Sequence, residues 1–286
     1  MSDKKQNNKN QQNAQNKSKN SEQQNNQKQQ TAQKSRKLNK PFYYKKKKGA
    51  LSKSTAPAKS KPEKKPEPPK PVKVAFLGGL NEVGKNITLF EYEDEIVLVD
   101  CGLAFPDEDM PGIDLVIPDF SYIEKNADKV KGICITHAHE DHIGSLAYLL
   151  KKINIPVYST RLTNGLIEGK LREHGLLGSA KLNVVKPGDT VKFGKFSVEF
   201  IHVNHSIPDA VALAIKCAAG TIVHTGDFKI DTTPIDGGMI DIARFAEIGK
   251  EGVLCMMADS TNAERPGYTE SESKVGDSFE MLFRKA

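Results

Sequence analysis

The sequence predicts an α/β fold from residue 73 onward, with sheets whose outer faces are covered by helices. Two observations carry that expectation. Short apolar runs rich in Val, Ile, Leu and Phe recur along the chain and break at Gly, Pro, Asn and Asp, as strands do at turns. Between them stand longer stretches whose apolar residues recur at the three- and four-residue spacing of a helix face.

Taken in order, VKVAFLGGL reads as a strand ending in glycines. NITLFEY and EIVLVDCG follow as a hairpin around Glu93 and Asp94, and KGICITHAH is the next strand. DHIGSLAYLLKK, residues 141–152, has helical spacing at Ile143, Leu146, Ala147 and Leu150, with an acid at its start and lysines at its end to suit the helix dipole. IPVYST is a short strand, and TRLTNGLIEGKLREHG is a second helix closed by Gly175. KLNVVKPGDTVKFG, KFSVEFIHVNH, DAVALAIKCAAG and TIVHTGD are β segments separated by Gly and Pro turns. A helix over residues 240–248 and a strand in GVLCMMAD complete the set, and there is no internal repeat.

Residues 1–72 have a different texture. They hold 20 Lys and Arg against 4 Asp and Glu, a balance of +16, so with +6 on the whole chain the remainder carries −10. This tail of Lys, Gln, Asn and Pro has too few aliphatic residues to offset its ordering entropy and is expected to be disordered. It has no apolar signal core, and its acids and scarce Arg argue against an import presequence. Its KPFYYKKKK stretch, with Tyr43 and Tyr44 able to stack on bases, suits RNA or another polyanion; the plainer reading is a solubilising extension. No segment has the uninterrupted apolar length of a transmembrane helix, so no membrane is expected. Cys101, Cys134, Cys217 and Cys255 lie in or beside apolar runs without CxxC pairing and read as small buried hydrophobes in a reducing cytosol.

THAHEDHIG, at 136–144, concentrates the chemistry: three of the seven histidines fall within six positions at the end of a buried strand. Imidazoles and carboxylates drawn together into a partly dry site are costly unless a cation shares them. His137 and His139 stand at i and i+2 of an extended segment and face one side. Asp141 and His142, adjacent at a helix start, are expected to diverge, which suits a second ion. His205 of HVNHSIPDA and Asp227 of HTGDFKID sit where other apolar strands break into turns. A satisfied turn residue is the plainer reading of either alone, but six clustered donors exceed what one zinc needs. The expected assignment is His137, His139 and His205 on one ion, Asp141 and His142 on the other, with Asp227 between them.

THAHEDH resembles the HxHxDH signature of the metallo-β-lactamase superfamily. FLGGLNEVGKN, VDCGLAFPDEDMPGID, VIPDFSYI, VNHSIPDA, VHTGDFKID and ADSTNAERPGYT together resemble the bacterial ribonuclease J family of β-CASP nucleases, from about Lys73 onward. That resemblance implies a metallo-β-lactamase αββα sandwich over 73–262 and the start of a β-CASP domain over 263–286. It implies two zinc ions, where the carboxylate share of the donors leaves manganese as the alternative, and a 5′-to-3′ exonuclease with endonuclease activity on RNA. Ribosomal RNA maturation and messenger RNA decay in the cytoplasm are implied too, with ribosome or RNA-decay partners and a homo-oligomer. It makes Asp100 a residue that orients ligands, gives Asp141 a catalytic as well as a ligating role, places a proton donor at Asp259, and suggests an additional calcium at Gly112 and Asp114. The family continues well beyond the point where this chain stops in SFEMLFRKA, so the chain reads as an N-terminal fragment lacking a late histidine ligand and the phosphate pocket, and is expected to be weakly active or inactive by itself. The competing readings are a small-molecule hydrolase of the same fold, cleaving a thioester or lactam, and a non-catalytic RNA-binding module.

Overall fold

In the β2–β3 hairpin the pleat sends alternate side chains to opposite faces, and here both faces are apolar. On β2 (Ile87–Tyr92), Ile87 and Leu89 face one way and Phe90 and Tyr92 the other; on β3 (Glu95–Val99), Ile96 and Leu98 oppose Val97 and Val99. A strand buried on both sides must lie inside a layered molecule. The computed structural model, which describes residues 68–286, has that arrangement. The expected disordered tail, including the Tyr43 and Tyr44 stretch, lies outside the described residues but for its last few positions.

Among the described residues, eleven strands form two sheets. The first runs in the order β1 (Lys73–Gly78), β2, β3, β4 (Val130–Cys134), β5 (Pro156–Ser159), β6 (Lys181–Val184), antiparallel at first and parallel from β3 onward. The second runs β11 (Cys255–Met257), β10 (Gly220–His224), β9 (Val211–Cys217), β8 (Phe196–His202), β7 (Thr190–Phe193). Only its β10–β11 pair is parallel.

Three apolar layers hold the sandwich. Phe90, Val97, Val99 and Cys134 of the first sheet meet Phe193, Phe196, Phe200, Leu213 and Ile215 of the second. The outer face of the first sheet packs against α1 (Ser121–Lys125), α2 (Glu140–Ile143), α3 (Leu146–Lys152) and α4 (Arg161–Glu173) through Ile123, Ile143, Leu146, Leu149, Ile167 and Leu171. On the outer face of the second, the small Ala212 and Ala214 admit α5 (Ile242–Glu251) through Ile248 and Phe245. This is the αββα order. Glu91, on the helix-facing side of β2, is buried but satisfied: it accepts from Tyr122 Oη of α1 at 2.7 Å and pairs with Lys73 at 3.3 Å. A last helix, α6 (Ser273–Lys285), carries Val275, Phe279, Leu282 and Phe283 exposed. No helix of the described residues is long and apolar enough to cross a membrane.

Three expectations need correction. The helix expected over 141–152 is two, broken at Gly144 and Ser145, because the neighbouring 101–104 segment captures its backbone. The Ser145 amide donates to Cys101 O at 3.0 Å, His142 O accepts from Cys101 N at 2.7 Å, and Asp141 O accepts from Asn86 N at 3.0 Å. The stretch 181–193 is not one β unit: β6 ends the first sheet, and the turn around Gly188 (φ +91) carries the chain into the second. Of the cysteines, Cys101 and Cys134 are buried as expected, but Cys217 is half-buried and Cys255 is exposed, on the three-residue edge strand β11.

Candidate metal centre

Strands β3 and β4 run parallel, and β8, β10 and β11 point one way within their sheet, so the loops leaving each group gather at one edge. Asp100 follows β3; Thr136, His137 and His139 follow β4; His205 follows β8; Asp227 follows β10; Asp259 follows β11. Each sits where the ladder ends and a side chain can leave the sheet.

Those loops bring six of the expected donors together. His139 Nδ1 lies 3.1 Å from His137 Nε2 and 3.2 Å from His205 Nε2. Ligand atoms bonded to a tetrahedral zinc at its usual distance to nitrogen stand about 3.3 Å apart, so this spacing fits three ligands of one ion. Asp227 Oδ2 lies 3.8 Å from His205 Nε2, 3.9 Å from His137 Nε2 and 3.5 Å from His142 Nε2, between the three imidazoles and His142. Two groups of three donors result, His137 with His139 and His205, and His137 with His142 and Asp227, each within 4.8 Å. Asp141 joins the second side, its Oδ2 3.4 Å from His142 Nε2. The expected divergence of Asp141 and His142 is therefore wrong. In the single turn of α2 both side chains bend to the same side, and the case for two ions rests on donor number and placement.

Asp100 organises these ligands. It is buried, with φ +61, a left-handed value uncommon outside glycine. Its Oδ1 accepts from the Thr136 amide at 2.7 Å, and its Oδ2 from Thr136 Oγ1 at 2.9 Å and His142 Nδ1 at 2.8 Å. Having given its hydrogen to Asp100, the Thr136 hydroxyl is left to accept from His137 Nδ1 at 3.1 Å. One carboxylate thus holds the Nδ1 proton of His142 directly and that of His137 through Thr136, so both rings turn Nε2 inward.

Burial and mutual charge set the protonation of these groups. Burial pushes the His137 pKa down to about 2, helped by the charge of His142 and its other imidazole neighbours. Burial likewise lowers that of His205, so both offer neutral imidazoles. For Asp141 and Asp227 burial opposes ionisation, but hydrogen bonding to His142 and its charge bring both carboxyls below the ordinary value. His142 is the exception: burial opposes its protonation, yet Asp100, Asp141 and Asp227 together raise its pKa well above 6.5. A cation there would have to displace that proton, and the surplus of carboxylate around it suits the exchange.

The candidate donors open onto a cleft of about 760 Å³ lined by Asp141, His142, Asp227, Asp259, His224 and the 79–84 loop. Asp259 stands on its wall, half-buried; its amide donates to Thr225 Oγ1 at 3.1 Å and its Oδ1 accepts from the Thr261 amide at 2.7 Å. Gly112 (φ +82) and Asp114 lie apart, exposed on a loop closed by the Ala104 to Val116 bridge, and Asp114 joins neither donor group. Sequence reasoning missed Thr136, Asn86 and His224. Thr136 could have been suspected from its place ahead of the first ligand; His224, whose Nδ1 accepts from the Gly226 amide at 3.1 Å, carried no such signal.

Comparison with known proteins agrees with this geometry. The chain is 50% identical over 217 residues to Ribonuclease J of Synechocystis sp., covering 75% of this chain and 34% of that protein. It is 47% identical over 222 residues to Ribonuclease J of Thermus thermophilus, covering 75% and 39%, and 50% identical over 211 residues to Ribonuclease J 1 of Streptococcus pyogenes, covering 74% and 38%. The chain thus spans little more than a third of the length of these relatives. The family description "Metallo-beta-lactamase superfamily" matches residues 80–245. With that match over more than half its length, a two-sheet αββα fold, and histidines and aspartates gathered at one edge, the chain belongs to the metallo-beta-lactamase superfamily.

Proposed function

We propose that this chain is the metal-binding part of a ribonuclease that hydrolyses RNA phosphodiesters. The observation that carries the reading is the pair of three-donor groups sharing His137 beside an open cleft. Zinc, or manganese in its place, is the proposed occupant: His137, His139 and His205 hold one ion, Asp141 and His142 the other, and Asp227 lies between. Two bound ions supply Lewis acidity and positive charge to a phosphodiester.

The chain's own residues do the rest. Asp100 and Thr136 keep the protons of His142 and His137 on Nδ1, away from the cleft. Asp100, Asp141, Asp227 and Asp259 make the cleft acidic, so a polyanion is attracted only once cations offset them. Asp259, with Oδ1 engaged by Thr261, keeps Oδ2 for proton exchange with a leaving oxygen. The likeness to proteins named Ribonuclease J supports RNA as substrate, and we extend the reading to 5′-to-3′ exonuclease and endonuclease action in ribosomal RNA maturation and messenger RNA decay. In this reading residues 73–262 form the metallo-β-lactamase domain, 263–286 enter the β-CASP domain, and the protein is a cytoplasmic homo-oligomer.

The test is to offer 5′-monophosphorylated RNA, a thioester and a lactam side by side to the purified protein, with and without zinc or manganese. Weak metal-dependent cleavage of the RNA alone, lost in His139→Ala, is expected of this chain, and faster cleavage of the same RNA by a protein as long as its relatives. Hydrolysis of the thioester or lactam with the RNA left intact would replace this reading with that of a small-molecule hydrolase.

A further inference from the structure

The motif GGLNEVGKN, residues 78–86, belongs to neither donor group, yet its loop forms one wall of the cleft. Its backbone is unusual: Gly79, Asn81, Gly84 and Lys85 have φ of +83, +57, +93 and +53. Two of these are not glycine, and such conformations cost free energy that surrounding contacts must offset.

What the loop achieves is the seating of Asn86. The Asn86 amide donates to Asp141 O at 3.0 Å, and Asn86 O accepts from Gly102 N at 2.9 Å, fastening the backbone to the first turn of α2. The side chain then reaches the ligands themselves: Nδ2 lies 3.3 Å from Asp141 Oδ2 and 3.1 Å from His142 Nε2. Its other end is fixed by shape, because a Cβ on Gly79 would stand 2.5 Å from Asn86 Oδ1. The missing side chain at Gly79 makes room for the amide oxygen, and the nitrogen faces the carboxylate, the orientation its hydrogen bonding requires.

We propose that Asn86 is a positioning residue for the second ion, its amide nitrogen donating to Asp141 Oδ2 and holding that carboxylate where it ligates. This rests on the two-ion reading of the site. Backbone bonds from Asn86, Cys101 and Leu103 fasten α2, and of the two side-chain contacts of Asn86 among the described residues, the one to Asp141 Oδ2 is compatible with ligation by His142 Nε2. Asn86 touches none of His137, His139 or His205 by hydrogen bond, which makes the proposal selective for one ion.

Zinc titration into the metal-free 286-residue chain, followed by calorimetry beside thermal unfolding, tests it. In Asn86→Ala the second equivalent of zinc should weaken by about 10- to 100-fold, the usual cost of losing a group that orients a ligand, while the first equivalent is unchanged. Asn86→Leu, which keeps the branching of the side chain but removes its donor, should do the same. If Asn86→Ala does not fold, Asn86→Leu carries the test by itself. Two zinc ions bound at parent affinity in the variants would overturn the proposal, and so would equal weakening of both ions in step with a lowered unfolding temperature, which marks a purely structural residue. A parent chain that takes up one zinc overturns the two-ion reading and this proposal with it.

Discussion

Asp100 orients two imidazoles from one carboxylate, and its left-handed backbone aims that carboxylate back across the strand end. Asn at this position keeps the size but puts a donor nitrogen in place of one oxygen, so either the Thr136 amide or both Thr136 Oγ1 and His142 Nδ1 lose their acceptor. Asp100→Asn is expected to fold and to bind zinc about 10- to 100-fold more weakly at both sites, measured by competition with a chromophoric chelator. Unchanged affinity would show that the imidazoles are oriented without it. At this scale the sequence is legible where chemistry is dense. Three histidines in six residues satisfy no packing or capping rule, so His137, His139 and His142 stand out unaided. Asn86 does not, because its partners are 55 and 56 positions away and an isolated Asn after a glycine loop reads first as a turn residue.

Among the elements, the strands were readable because their side chains alternate or fill both faces, as in β2 and β3. The 141–152 helix was misread because helical spacing says nothing of competing partners: Cys101 and Asn86 take carbonyls that a continuous helix would use. The change of sheet at Gly188 was hidden for a related reason, since a Pro-Gly turn looks the same whether it returns to one sheet or leaves for another. The Glu91 to Tyr122 bond joins α1 to β2 and gives a test by pH. The Tyr122 hydroxyl, with Lys73, holds the Glu91 carboxyl below its ordinary value of 4.5. A depressed native pKa contributes stability that is complete above the unfolded value and is lost as pH falls through the native one. Tyr122→Phe should therefore cost about 1.5 kcal/mol near neutrality, at the low end for a hydrogen bond to a charged group, with the deficit shrinking on acidification below 4.5. Denaturant midpoints measured against pH check this; a deficit constant through the acid range would mean the bond is not tied to ionised Glu91.

Over the whole molecule, charge is divided unevenly, +16 on residues 1–72 and −10 on the rest. The acidic part holds the candidate metal centre, so in the proposed function attraction of a polyanion comes from bound cations and from the basic segment. Deleting residues 1–70 should leave zinc binding unchanged but weaken RNA binding, most at low salt, with a shallower dependence of affinity on salt. Equal affinity across a salt titration would relieve the tail of that role. The central claim is that one edge of the sandwich gathers ligands for two ions, and zinc titration of the metal-free chain tests it most directly. Two equivalents are expected, the three-histidine site binding more tightly because His142 must give up a proton at the other. His139→Ala should abolish tight binding of the first equivalent, and Asp227→Ala should weaken both. A single equivalent in the parent chain, or two retained at full affinity in His139→Ala, would contradict the account.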